Sequence, residues 1–346
     1  MSANDFYNFP KSNVEEWMEI VKKDLKSTPY NQLQWIVDED IILDPIQNVS
    51  LNIDLNLSRD WERKSSLIIN NSSTNESILF LLNSGVNAIT FDAFDNIDTY
   101  NNLLSNVNQQ FISWQIKISN FEELQIIKSY FDDNVDITFH FAKVPDIKIV
   151  DSILKEFVNS KFLIESNSVA EQYSNNIVKM LVGAYQLIQS VGKNGFDIKT
   201  IIPKIVFQTS ISNKYLQEIA YLRAIHLTWK NFTASYDSLV TAAKIVVNYE
   251  DNCLTNDRNE NLIRMTTMGM SAILGTVYKI ECNNYLFNDN NDTNKIRLIN
   301  NIQLILGLES YLDQVVDPTS GSYFLDSLTQ KLTEKSWKKF IEFIGY

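Results

Sequence analysis

Short runs rich in β-branched and aromatic residues recur along most of this chain, with helix-period stretches between them. The β-rich runs are "SLII", "VNAITF", "FISWQIKI", "VDITFHFA", "KFLIES", "KIVFQTS", "AKIVVNY" and "VYKIEC", eight in all. Helical patterns separate them, among them "NFEELQIIKSYF", "DIKIVDSILKEFV", "NNIVKMLVGAYQLIQSV", "KYLQEIAYLRAIHLTWKNF" and "NENLIRMTTMGMSAILG". Such alternation builds a parallel sheet, because a strand followed by a crossover helix returns alongside its predecessor. Eight units suffice to close the sheet, so the expected fold is α/β, a (β/α)8 TIM barrel spanning residues 61–346. A doubly wound open sheet is the alternative. No glycine fingerprint follows any strand run, so no dinucleotide or P-loop site is indicated.

Residues 1–60 read differently, as an extended N-terminal arm with one short helix. The helix is "NVEEWMEIVKKDLK", with Asn13 as cap, Glu16 three residues on, and Trp17, Val21 and Leu25 on one face. Around it lie extended stretches carrying Phe6, Tyr7, Phe9, Tyr30 and Trp35. Aromatic residues on an irregular arm need cover. Either the arm folds back on its own domain or it wraps a partner.

The 346 residues are 45% apolar and 21% charged, ordinary for a soluble protein with a sizeable core. A net charge of −12 argues against a nucleic-acid partner, since phosphate binding draws on clustered Lys and Arg. The densest basic run, Lys335 to Lys339, reads as the solvated end of a helix. Cys253 and Cys282 have neither CxxC spacing nor a neighbouring His, which suits reduced, structural thiols. The polar N-terminus is no signal peptide, and no apolar run approaches the ~20 residues that span a bilayer. The expectation is a cytoplasmic protein with no membrane contact.

In a barrel of this kind the reactive groups stand at the carboxyl ends of the strands. Those ends carry Asn70, Asp92, Lys117, Lys143, Glu165, Gln208, Asn248 and Cys282. Only two histidines are present, and His is the usual acid–base group near neutral pH. His140, flanked by Phe139 and Phe141, is expected in the lumen. His226 falls on a helix away from any strand end and reads as a surface or packing residue. Asp92 and Glu165 are candidates for a carboxylate pair across the lumen. The weak lumen candidates are therefore Asp92, His140 and Gln208.

The stretch from 317 to 340, "DPTSGSYFLDSLTQKLTEKSWKKF", is unusual in this Gly-poor chain. Asp317-Pro318 stops a helix, Gly321 permits a sharp turn, and Ser322 is placed to cap the next helix. Leu325, Leu328, Leu332, Phe340 and Ile344 give that helix an apolar face. The letters also resemble the D-P-x-x-G-S-Y-[YF]-[IV]-[ED]-x-L-T…W element of methylmalonyl-CoA mutases. In the right order stand "GVNAITFDAFD" (85–95), "YLQEIAYLRAIHLTW" (215–229), "NENLIRMTTMGMSAILG" (259–275) and "INNIQLILGLE" (299–309). The entrance, "FPKSNVEEWMEIVKKDLKSTPYNQL", looks like the start of that family too. The resemblance implies a partner-wrapping arm followed by a TIM barrel.

The departures from the family's pattern decide what kind of chain it implies. Catalytic chains carry a cobalamin domain whose D-x-H-x-x-G motif supplies the cobalt-ligating histidine. Here Thr138 and Lys143 flank His140, and Ala224 and Trp229 flank His226, at the positions that motif needs. The chain ends at Tyr346, soon after the barrel, so a chain without that domain is expected. The family's Gly-Tyr-His segment falls, without gaps, on Ile164 and Glu165. Its T-I-R-Q-Y-A-G-F segment corresponds to "SSLIINNSSTN", and its His-Ser-Gln segment to "VVNY". Loss of one positioned acid–base group typically removes ~10²–10⁴ in rate.

The resemblance thus implies the small, non-catalytic subunit of a heterodimeric mutase. Adenosylcobalamin would sit in a large catalytic subunit that interconverts succinyl-CoA and methylmalonyl-CoA. Phe6, Tyr7, Phe9 and Trp17 would bury against that subunit, and no cofactor, metal or catalytic residue is expected here. Two other readings stand beside it: a cobalamin-independent CoA-ester enzyme using Asp92, Glu165 and His140, and a CoA-thioester-binding regulatory barrel.

Overall fold

The computed structural model describes residues 13–38, 41–47, 65–69, 73–143, 145–166, 172–236, 242–281, 293–312, 314–315 and 317–345. Phe6, Tyr7 and Phe9, Asn70 and Cys282 lie outside these residues. The opening helix α1 (Val14–Leu25) has the expected capping box, Asn13 and Glu16 each accepting the other's amide. Two short strands follow, β1 (Trp35–Asp38) and β2 (Ile41–Leu43), paired antiparallel.

Each of the eight β-rich runs holds a strand: β3 (Ser65–Ile68), β4 (Ala88–Asp92), β5 (Ser113–Ile118), β6 (Ile137–Phe141), β7 (Lys161–Glu165), β8 (Ile205–Ile211), β9 (Lys244–Tyr249) and β10 (Lys279–Glu281). Neighbours in sequence are hydrogen-bonded in parallel, which gives an α/β fold around a curled sheet. Ile280 of β10 is in register with Val247 of β9 on one side and Ser65 of β3 on the other, so the strand order closes.

Helices α2 (Asn75–Asn83), α3 (Ile97–Leu103), α4 (Phe121–Tyr130), α5 (Ile147–Glu156), α6 (Tyr173–Lys193), α8 (Tyr215–Ala234), α9 (Arg258–Leu274) and α10 (Thr293–Leu308) follow the sheet strands in turn, with the one-turn α7 (Ile198–Ile201) after α6. Several begin on an Asn, Asp or Thr whose side-chain oxygen accepts an early amide, as at Thr74, Asn96, Asn120, Asp146 and Asp257. Part of the chain's asparagine richness therefore serves helix starts.

The last helix, α11 (Tyr323–Ile344), lies across α6 and α8 as an additional outer layer. This explains why α8 has no polar face. Strands lie beneath it and α11 above, so Ile219 to His226 is buried without a break. Arg223, 2% exposed, spends its guanidinium on Asp317 (2.6 Å), Thr319 (2.8 Å) and Asp326 (3.3 Å). The "DPTSG" stretch is thereby accounted for. Asp317 accepts from Arg223 and from the amide and hydroxyl of Thr319, Gly321 takes φ +83°, and Ser322 caps α11. The helix runs to Ile344, so Lys335 to Lys339 is mid-helix and not at its end as expected; Lys339 donates to Asn175 at 2.8 Å.

The described residues ahead of the sheet partly fold back. Trp35 stacks on Phe324 at 5.1 Å, Lys331 donates to the Ile42 carbonyl, and Ile41 and Leu43 are buried. Helix α1 behaves otherwise: none of its residues is buried, and Trp17 is half-exposed.

Candidate functional site: the lumen and the mouth of the sheet

Alternation along parallel strands sends every second side chain into the enclosed space. At mid-height Leu163, Val206 and Val246 pack together with Tyr278 against them. Above them four polar side chains make a ring. Lys279 donates to Gln115 (3.3 Å), Gln115 to Gln208 (3.4 Å) and Gln208 to Glu281 (3.0 Å), and Glu281 lies 3.9 Å from Lys279. Thr90 adds a further hydrogen bond to Glu281. All four ring members are no more than 5% exposed. A charged pair at this depth persists because each partner is also hydrogen-bonded to neutral amides. Burial pulls the Lys279 ammonium below its ordinary range, and the Glu281 charge opposes that.

Gln208, a sequence candidate, is thus part of the filling of the lumen. Gln115, Lys279 and Glu281 were missed because polar residues inside β-rich runs carry no motif. Their signal was parity, since Lys279 and Glu281 flank the outward Ile280. Below the apolar layer Lys161 holds Asp136 and Tyr278, and Ser113 donates to Asp136 at 2.8 Å.

At the carboxyl ends the space opens. His140 Nε2 lies 3.3 Å from Glu165 Oε2, and this contact, with Lys117 nearby, holds the Glu165 carboxyl below its usual range despite partial burial. The two line a cavity of about 330 Å³ together with Lys117, Lys143 and Lys179. Ile164, beside Glu165, meets α6 closely: a Cβ at Gly183 would lie 2.7 Å from Ile164 Cγ2. Asp92 is exposed and lines the adjoining, larger cavity with Asp95, Thr99 and Lys117. Asp92 and Glu165, expected as a pair across the lumen, line different cavities: Glu165 meets His140, and Lys117 stands next to Asp92 in register.

His226 is remote from this mouth. It is buried between α8 and α9 with Nε2 at 3.0 Å from the Thr276 carbonyl, and burial pushes its imidazole down to about 4. Glu218, at the start of α8, accepts from Tyr173, from Ser212 Oγ and from the Ser212 amide, and burial pushes it up to about 7. Among the described residues no group of three or more His, Cys, Asp or Glu is placed to hold a metal ion. Among the same residues no helix is long and apolar enough to cross a membrane.

Comparison with known proteins adds the relationship. The methylmalonyl-CoA mutase small subunit of Porphyromonas gingivalis is 22% identical over 395 residues, covering 97% of this chain and 63% of that protein. The methylmalonyl-CoA mutase large subunit of the same organism is 25% identical over 148 residues, covering 41% of this chain and 21% of that one. The chain thus spans less than two thirds of the length of either relative. Among solved structures, a dihydropteroate synthase from Xanthomonas albilineans aligns at 8% identity over 73% of this chain and 95% of that one, with a TM-score of 0.43 that carries no argument. The family profile described as methylmalonyl-CoA mutase matches residues 168–344, just over half of the chain. The chain belongs to the methylmalonyl-CoA mutase family.

Proposed function

We propose that this chain is the non-catalytic small subunit of a heterodimeric, adenosylcobalamin-dependent methylmalonyl-CoA mutase. On this reading residues 61–346 are a (β/α)8 barrel of the TIM class and residues 1–60 an arm that wraps the large subunit. The observation that carries it is the ring of Gln115, Gln208, Lys279 and Glu281, which fills the lumen where a barrel enzyme would admit substrate. The similarity to a protein named as a small subunit, over nearly the whole of this chain, supports the assignment. So does the existence of a separate large subunit in the same organism.

The cofactor belongs on the companion chain. Cobalt ligation from below needs an imidazole free to leave its surroundings, and neither histidine here is. His226 is buried with its Nε2 on a backbone carbonyl, and His140 stands against Glu165 in a strand. The residues described do not fit the group. Ile164 and Glu165 occupy the degenerate positions, one packed on Gly183 and the other bonded to His140. The role left to the chain is structural, in a cytoplasmic assembly. Helix α1 supports this: Trp17, Val21 and Leu25 form an apolar stripe, yet no residue of α1 is buried. With Phe6, Tyr7 and Phe9 this stripe would be covered by the large subunit.

Co-expression with a tagged large subunit tests the reading. A one-to-one complex surviving gel filtration is expected, because obligate interfaces bury on the order of 2,000 Å² or more. A well-behaved monomer that ignores the large subunit would contradict it.

A further inference from the structure

In a chain of net charge −12, three lysines converge on one small cavity. Lys117 comes from β5, Lys143 from the segment after β6, and Lys179 from α6. All three are exposed, and among the described residues none is held in an ion pair or hydrogen bond. The charge in view from the other side is the Glu165 carboxylate, which is engaged by His140 at 3.3 Å. Asp92, the register neighbour of Lys117, lines the adjoining cavity instead. The wall behind the lysines is apolar: Phe141, Phe162, Ile164 and Leu187.

Three lysines against the one Glu165 carboxylate leave the lining with an excess of positive charge that favours a further anion, and the apolar wall gains by covering a hydrocarbon group. About 330 Å³ is at the small end of ligand pockets, which suits a small ligand. We infer that this cavity binds a small oxyanion with a short apolar body, a carboxylate of a few methylenes, held by Lys117, Lys143 and Lys179. His140 lines the same cavity, with its ring oriented by Glu165. The site lies above the filled part of the lumen, at the carboxyl ends of β5, β6 and β7 and against α6, and its occupation does not depend on whether the chain pairs with a large subunit.

Calorimetric titration of the full chain with butyrate, hexanoate and inorganic phosphate tests this. Saturable binding is expected, with hexanoate about tenfold tighter than butyrate for its two additional methylenes. The double variant Lys143→Gln/Lys179→Gln changes only exposed side chains, so it should fold, checked by circular dichroism, and lose at least tenfold in hexanoate affinity. Absence of saturable heat with hexanoate at tens of millimolar would overturn the proposal. So would equal affinity for phosphate and hexanoate, which would deny the apolar wall its part, or undiminished hexanoate binding by the double variant.

Discussion

The guanidinium of Arg223 on α8 lies 3.3 Å from the carboxylate of Asp326 on α11, and both side chains are sealed from solvent, at 2% and 0% exposed. This contact fastens the outer helix to the layer beneath it. Removing one member of a buried ion pair strands the other, which typically costs about 3–5 kcal/mol. Arg223→Ala should therefore lose stability of that order in urea unfolding. Asp317→Asn should lose less, because the Asp317 side chain is 21% exposed and water can replace it. Equal losses in the two variants would place the anchor elsewhere.

Helices α8 and α9 approach through Gly275. A Cβ there would stand 2.5 Å from Leu222 Cδ1 and 2.7 Å from Leu222 Cβ, and Leu222 is fully buried with no room to yield. Gly275→Ala should destabilise by about 1–3 kcal/mol through overpacking. A neutral or stabilising effect in thermal unfolding would mean that the helices can separate at no cost.

Two buried groups should oppose each other as pH changes. His226 is pushed down from 6.5 to about 4, so the unfolded chain binds its proton first and stability is lost as pH falls through that interval. Glu218 is pushed up from 4.5 to about 7, so the folded chain holds its proton longer and stability is lost as pH rises through that interval. Over the overlap the two slopes, each up to about 1.4 kcal/mol per pH unit, have opposite signs. Glu218→Gln should leave stability that rises with pH across the overlap, and His226→Gln stability that falls. Denaturant midpoints measured across the range check this; parallel slopes in the two variants would contradict it.

The ring in the lumen makes its own forecast. Lys279→Met leaves Glu281 without its counter-charge in the interior and should cost about 3–5 kcal/mol. Lys279→Met/Glu281→Met removes both charges and should be much milder than the sum of the single changes. Additive effects in a double-mutant cycle would show the two side chains to be uncoupled.

The sheet was legible because strands such as β5 (Trp114, Ile116, Ile118) and β9 (Ile245, Val247, Tyr249) bury an apolar outward face, so the runs stood out from the helical stretches between them. The β1–β2 pair was not, since Trp35 stacks on Phe324 and β2 packs on α11, some 290 residues later, and no local pattern announces that contact. At the mouth, Glu165 was named from its strand end and His140 as a lumen residue, and the cobalamin-independent reading grouped the two with Asp92. Register between strands, which sequence does not print, brings them together and sends Asp92 to the neighbouring cavity. Arg223 passed unremarked because a lone arginine in an apolar helix gains meaning only from Asp317 and Asp326, about a hundred positions away.

The most direct test of the account is to supply the purified chain, by itself, with adenosylcobalamin and succinyl-CoA and follow methylmalonyl-CoA by mass spectrometry. No retained cobalamin and no product are expected until a large subunit is added. Turnover by the unaided chain, with cobalamin bound to it, would contradict it.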